Sequence, residues 1–164
     1  LTPTQVSSIA GYVKTLGRVQ SEAVPGNAIR GQATYASLDC AACHTLGGEG
    51  GILGPILDDI GARRSAAHLR EALLEPEASV PRDFLQLEVV TNDGLAFTGI
   101  RVNEDGFSIQ FRDLSGRLHS FWKRELETLE QQWQRSPMGS YEARLTSEET
   151  DDLVAYLVSL TGGR

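Results

Sequence analysis

The chain has few of the residue types that bind metals, and this scarcity narrows its chemistry. Its 164 residues include two cysteines, three histidines and one methionine. A structural zinc site needs about four ligands, commonly two cysteine pairs or one cysteine pair with paired histidines. This chain has no second cysteine pair, so structural zinc is disfavoured.

Long apolar runs and clustered basic residues are also missing. No run of about 18 apolar residues occurs, so no membrane-spanning helix is expected. The net charge is −7 and the basic residues form no stripe, so no nucleic-acid partner is expected. A length of 164 residues suits one domain, or one domain with an insertion. The chain begins with Leu1 rather than Met, and we expect it to derive from a longer precursor.

Both cysteines lie in one short motif. Residues 40–44 read CAACH, so Cys40, Cys43 and His44 form the C-x-x-C-H pattern of covalent haem attachment. Two thiols at this spacing can bond the two vinyl groups on one porphyrin edge, and the histidine can direct its imidazole to the iron. One covalent haem c is therefore the expected cofactor. A thioredoxin-like motif or a plain disulfide fits less well, because the flanking residues have helical patterns and many glycines.

The residues on both sides of the motif favour a haem site. A helix is predicted to begin after Asn27, a preferred N-cap residue, and it carries Gly31 at a position suited to close packing. Residues 45–61 are rich in glycine and contain the pair Gly54-Pro55. This composition indicates an irregular backbone that can lie close against a flat ligand.

The second axial ligand is expected to be methionine, because haem carriers commonly hold the iron between histidine and methionine. The one methionine, Met138, lies between Pro137 and Gly139, which predicts a loop. A methionine that only fills a gap in the core is the alternative. His68 and His119 are competing ligands, although the first falls in a predicted helix and the second in a predicted strand.

His44 and Met138 are 94 positions apart, and a segment with strand character fills much of this interval. Alternating apolar and polar residues, separated by turn sequences, predict about four short strands over residues 84–122. These strands are expected to form an antiparallel meander inserted between the histidine loop and the methionine loop.

An amphipathic helix is predicted at each end of the chain. Thr146 and Glu149 form a capping-box pattern before an apolar stripe that ends near Gly162. Residues 1–18 repeat this pattern at a constant offset of 144 positions. Either they end a preceding cytochrome-like domain, with residues 19–26 as the linker, or they form a helix that packs on this domain or on a second copy in a homodimer.

The motif and its flanks resemble a class I cytochrome c over residues 26–61. In that family a backbone carbonyl in the loop steadies the proximal histidine, and the resemblance assigns this carbonyl to Pro55. Gly31 and Tyr35 match the first helix of the family. The axial ligands implied are His44 and Met138. The candidate pocket residues are Tyr35, Pro55, Ile56, Leu57, Ile60 and Trp133.

With its strand segment, the chain more specifically resembles the Pirellula/Verrucomicrobium-type haem-binding domain. That type places a β segment after the attachment motif, followed by a methionine loop and a terminal helix similar to residues 145–157. Members often have proline after the ligand methionine, where this chain has Gly139. The fold implied for residues 27–164 is a mainly α cytochrome c fold with the β meander inserted.

The resemblance implies an electron carrier rather than an enzyme. Such domains resemble C-terminal parts of large extracytoplasmic proteins, often dehydrogenases, so a bacterial periplasmic location and a redox partner or an upstream catalytic or cytochrome domain are expected. A haem-based ligand sensor or a peroxide-reactive domain is the alternative, and an open sixth position on the iron would distinguish it. In a third hypothesis, the β insertion docks the haem domain onto a partner.

Overall fold

The computed structural model describes residues 1–15 and 23–162 of the chain. Helices formed by the two ends of the sequence make one part, and a sheet formed by the middle makes the other. The helices are α1 (Pro3–Thr15), α2 (Ala28–Ser37), α3 (Ile60–Arg63), α4 (Ala66–Leu74) and α5 (Ser147–Ser159). The strands are β1 (Thr45–Leu46), β2 (Glu49–Gly50), β3 (Gln86–Thr91), β4 (Ala96–Glu104), β5 (Ser108–Asp113), β6 (Leu118–Trp122) and β7 (Leu126–Gln132).

Helices α2 and α5 pack closely at Gly31. A Cβ on this residue would collide with the carbonyl oxygen of Asp152, so glycine permits the close approach. The neighbouring Arg30 donates from Nη2 to Oδ1 of Asp152 at 2.9 Å and from Nε to Oδ2 at 2.5 Å. Asn27 caps α2, since its Oδ1 accepts from the backbone N–H of Ile29 at 2.9 Å. The hydrogen bond from Arg30 holds the pKa of Asp152 below its usual value.

The helical core lies where α2, α4 and α5 meet. Arg70 of α4 pairs with Asp151 of α5. Gly61 of α3 lies against the backbone of Val158, where a Cβ would collide with the carbonyl oxygen. The buried core residues are Tyr35, Leu57, Ile60, Leu69, Leu73, Leu153, Val154 and Leu157.

The strands β3 to β7 form one antiparallel sheet in the order β6-β5-β4-β3-β7. Alternate side chains of β3 and β5 point to one face and form its core, as the two-residue period of a strand requires. Phe97 of β4 and Phe121 of β6 have ring centroids 5.5 Å apart although β5 lies between their strands, so their side chains lean towards each other over β5. A register shift between Arg101 and Asn103 marks an irregularity of the kind that bends strands.

The sheet is larger than the sequence predicts. About four strands are expected over residues 84–122, but the fifth strand, Leu126–Gln132, lies beyond that range and pairs with β3. Its sequence, LETLEQQ, has two leucines three positions apart and therefore no apolar alternation. The first strand begins at Gln86, because Arg82–Phe84 forms a 3₁₀ turn. The architecture is helices with a five-stranded antiparallel sheet, a coarser description than a mainly α fold with an inserted meander.

The first helix begins with a capping box. The backbone N–H of Thr2 donates to Oε1 of Gln5 at 2.8 Å, and the backbone N–H of Gln5 donates to Oγ1 of Thr2 at 3.3 Å. Residues 16–18 of the predicted helix and residues 19–22 of the predicted linker lie outside the described residues. Within the described part of the chain, every helix is too short or too polar to cross a membrane.

Candidate haem site

The attachment motif lies on a compact turn directly after α2. Asp39 adopts a left-handed conformation, with φ of 55°, and so ends the helix. The 3₁₀ turn Cys40–Ala42 follows, and the backbone N–H groups of Cys43 and His44 both donate to the carbonyl of Cys40, at 3.2 and 3.0 Å. Both cysteines are free thiols, Cys40 half-buried and Cys43 exposed. The turn therefore keeps both thiols and the imidazole within one short segment.

The imidazole of His44 is held in one orientation. Its Nδ1–H donates to the carbonyl of Pro55 at 2.8 Å, which is the hydrogen bond that the resemblance implies. Burial lowers the pKa of His44 and so favours the neutral ring. Because Nδ1 carries the proton, Nε2 presents its lone pair, and this is the form that binds a metal ion.

Glycines let the following loop pack against the motif. A Cβ on Gly54 would lie 2.5 Å from Cε1 of His44, so the loop backbone contacts the ring directly. A Cβ on Gly51 would collide with the carbonyl of Ala42, and the backbone N–H of Gly51 donates to the carbonyl of Ala41 at 2.7 Å. The glycine-rich composition thus has a specific structural cause at these two positions.

The methionine loop is fixed to the end of α4. The backbone N–H of Tyr141 donates to the carbonyl of Leu73 at 2.9 Å, and Oγ of Ser140 donates to the carbonyl of Leu74 at 2.6 Å. Met138 is half-buried and packs against the helical core, as Cys40 does. The loop therefore places the thioether against the same apolar cluster as the attachment motif.

Sequence reasoning missed two residues of this loop, of which Tyr141 packs against the same helical core as Cys40. Burial raises the pKa of Tyr141, and negative charge on Cys40 raises it further. The guanidinium of Arg144 lies 5.0 Å from the centroid of the Tyr141 ring. Burial raises the pKa of the Cys40 thiol, and the positive charge of Arg144 partly opposes this. No sequence motif signals either residue, since their placement depends on the hydrogen bonds to α4.

The other candidate pocket residues divide into two groups. Tyr35, Leu57 and Ile60 are buried in the helical core, and Pro55 is half-buried beside His44. Ile56 is exposed. Trp133 is 65% exposed and lines an open groove at the end of β7, so the structure does not bring it into the helical core.

The two competing histidines have other partners. His68 lies on α4, with its Nδ1 3.8 Å from the carboxylate of Glu71. His119 lies in the sheet, where its ring stacks on Phe111 at a centroid distance of 5.2 Å. Its Nε2 is 2.7 Å from the carboxylate of Asp113.

The residues present fit a covalent haem. Tyr35 is 8% exposed, and its hydroxyl is the one buried side-chain polar atom without a hydrogen-bond partner among the described residues. Ile52 and Ile56, in the loop that contacts His44, expose more than half of their surface. A flat apolar group bound here would cover such side chains. No group of three His, Cys, Asp or Glu side chains in the described part of the chain could hold a bare metal ion.

Part of the chain matches a known family. Residues 28–96 match the family model described as Cytochrome c, which is less than half of the chain. The matched segment contains α2, the attachment motif and the Pro55 loop, and it ends before Met138. No curated protein matches the chain. Proteins of this family carry covalent haem c, and one match is consistent with one haem. The match supports a class I cytochrome c with haem c as its cofactor.

Proposed function

We propose that the chain is a haem c electron carrier whose iron is held by His44 and Met138. One observation carries the proposal. Met138 packs against the same apolar cluster as Cys40, although 94 positions separate it from His44. The one methionine of the sequence thus lies in the same part of the molecule as the attachment motif, although the two are far apart along the chain.

Each proposed ligand contributes a distinct property. His44 supplies a neutral imidazole whose orientation is set by the carbonyl of Pro55. Met138 supplies a thioether, a ligand that raises the reduction potential of haem iron. When bound, the haem would exchange single electrons between ferric and ferrous iron. Two protein ligands leave no open position for a substrate, which suits a carrier rather than an enzyme.

The ligand assignment is tested by absorption spectra of the oxidised and dithionite-reduced holoprotein, with a pyridine haemochrome assay. We expect a c-type haemochrome and low-spin bands in the wild type. Met138→Ala should lose the weak far-red sulfur-to-iron band. Leu145→Ala is the matched control, since Leu145 is also a half-buried apolar residue packed on the helical core but has no sulfur.

Two outcomes would contradict the proposal. High-spin spectra that Met138→Ala leaves unchanged would favour a ligand sensor or a peroxide-reactive domain. Absence of haem after expression in a strain competent for cytochrome c maturation would refute covalent attachment altogether.

We further propose that residues 27–164 form a haem domain of the Pirellula/Verrucomicrobium type, within a larger extracytoplasmic redox protein such as a dehydrogenase. The order of attachment motif, sheet, methionine loop and capped α5 supports this assignment. Covalent haem attachment outside the cytoplasm supports a bacterial periplasmic location. Fractionation of the source cells with an antibody to this chain tests both points. A band at the size of the isolated domain, or in the cytoplasmic fraction, would contradict them.

A further inference from the structure

Helix α1 repeats the surface through which α5 packs on α2. At the offset of 144 positions, Ile9 and Val13 correspond to Leu153 and Leu157. The two α5 residues are buried under α2 and its neighbours. Ile9 and Val13 are 50% and 56% exposed. The same apolar face is therefore covered in one helix and open to solvent in the other.

The two helices also begin in the same way. In α5, the backbone N–H of Thr146 donates to Oε2 of Glu149 at 2.8 Å, and the backbone N–H of Glu149 donates to Oγ1 of Thr146 at 3.2 Å. In α1, Thr2 and Gln5 make the same reciprocal pair. Because both caps fix the first turn identically, equivalent residues of α1 and α5 face the same direction relative to the cap.

The partner of α5 indicates what such a face fits. Helix α2 approaches it at Gly31, and the rings of Tyr35 and Tyr156 lie with centroids 5.6 Å apart. Tyr12 is the residue of α1 that corresponds to Tyr156. This face of α2 is already covered by α5, so α1 needs another helix that carries a glycine at the crossing point.

The two helices differ in charge at two equivalent positions. Asp151 and Asp152 of α5 pair with Arg70 and Arg30, whereas the corresponding residues of α1 are serines. Asp152 is buried, so its pair with Arg30 is part of the α2–α5 contact. Serine at this position offers no carboxylate. The helix that fits α1 is therefore one without a basic residue where α2 has Arg30.

We propose that α1 docks on the glycine-bearing first helix of a second cytochrome c domain, as α5 docks on α2. The partner helix carries a neutral residue at the position equivalent to Arg30. The inference rests on the proposed function, because it takes the α2–α5 pair as the helix pair of a haem domain. The parent protein would then hold at least two haem groups in adjoining domains.

To test whether α1 fits such a helix, the sequence of α1 is put in place of α5 within the full chain, where it faces α2. Residues 145–160 are replaced by the sequence of residues 1–16, with Ser7→Asp and Ser8→Asp in the transplanted copy so that both ion pairs are kept. We expect cooperative thermal unfolding and, in the holoprotein, the wild-type low-spin spectrum. The matched control carries Ile9→Ser and Val13→Ser in the same copy and should lose cooperative unfolding.

The outcomes separate this inference from the proposed function. Thermal unfolding reports the helix contact whether or not haem is attached, whereas the haemochrome assay reports attachment alone. A transplant that unfolds non-cooperatively, or a control that unfolds like the transplant, would overturn the inference.

Light scattering coupled to gel filtration tests the other occupant, a second copy of this chain. We expect a monomer both for the wild type and for the variant with Ile9→Asp and Val13→Asp in α1. A wild-type dimer that this variant converts to a monomer would show that two copies cover the face, and would refute docking on a second domain.

Discussion

The helical part and the sheet complete their cores differently. In the sheet, Ile109 and Phe111 are 0% exposed, so the polypeptide alone closes this core. In the helical part, the Tyr35 hydroxyl is buried and has no hydrogen-bond partner among the described residues. The proposed haem site accounts for this difference, since a bound group would complete the helical core.

Polar groups show the same contrast. In the sheet, His119 lies among the rings of Phe97, Phe111 and Phe121, and its Nε2–H donates to Asp113 at 2.7 Å. This nitrogen of the half-buried ring is therefore satisfied within the chain. An unsatisfied buried hydroxyl, such as that of Tyr35, costs about 1–3 kcal/mol. The helical part carries this cost until the bound group or a water molecule provides a partner.

The largest effect is expected from removing the covalent attachment. The double variant Cys40→Ala, Cys43→Ala should lose amide protection in α2 and α5, because their core then lacks the group that completes it. Protection in β5 should persist, because its core needs no such group. Hydrogen–deuterium exchange read by mass spectrometry measures both. Simultaneous loss of protection in β5 would contradict the independence of the sheet.

Truncating a buried side chain of the sheet should destabilise the sheet and leave the haem site unchanged. Phe111→Ala should lower the free energy of unfolding of the sheet by about 3–5 kcal/mol, the usual cost for a buried phenylalanine. Urea titration read by fluorescence measures this loss, while the haem spectrum should stay low-spin. Phe107→Ala is the matched control, since Phe107 is largely exposed, and it should change stability by about 0.5 kcal/mol or less. A high-spin spectrum in Phe111→Ala would show that the two parts are coupled.

A smaller effect is expected at the helix crossing. Gly31→Ala places a methyl group against the Asp152 carbonyl and should destabilise the helical part by about 1–3 kcal/mol. Gly11→Ala is the control, because among the described residues no atom outside the local helix backbone and its chain neighbours lies within 4 Å of a Cβ at that position of α1. There the better helix propensity of alanine should be neutral or stabilise by up to about 1 kcal/mol. Thermal unfolding of both holoproteins measures the difference. Equal effects of the two variants would contradict a close α2–α5 contact.

The smallest effect is expected on the pH dependence of stability, at acidic pH. Hydrogen bonds from Ser115 and then His119 hold the pKa of Asp113 well below its usual range. A carboxyl whose pKa is lower in the folded state stabilises the fold above its unfolded pKa, about 3.9, and this contribution is lost as pH falls towards the folded value. The stability difference between wild type and Asp113→Asn should therefore shrink below about pH 4. Urea titrations between pH 6 and pH 2 measure it, and a difference that grows in acid would contradict the assignment.

The attachment site was predictable because its determinants are local in sequence. Cys40, Cys43 and His44 lie within one turn, and the resemblance to a known family implied the hydrogen bond to Pro55, which the structure contains. Four strands, β3 to β6, lie within the predicted range of residues 84–122, because alternation or turn sequences mark them locally.

The features that the sequence does not predict depend on contacts between residues that are far apart in the sequence. Tyr141 packs against the same helical core as Cys40 because two carbonyls at the end of α4 fix the methionine loop. Strand β7 is an edge strand with mostly polar residues, so its pairing with β3 leaves little trace in its own sequence. Trp133 was expected near the haem because aromatic residues often line such pockets, but its exposure depends on where β7 ends.

The hydrogen bonds from Ser140 and Tyr141 to the end of α4 have a consequence for how this protein could diversify. A segment of 65 residues separates Leu74 from Ser140 in the sequence. Its two ends lie next to each other, because Oγ of Ser140 donates to the carbonyl of Leu74. For the helical part, the whole segment therefore acts as one long loop whose two ends are fixed. Doubling the length of a flexible loop adds only about 0.6 kcal/mol to the entropy cost of closing it. The connection between these two fixed points can therefore change in length at a small entropic cost while the methionine loop keeps its place.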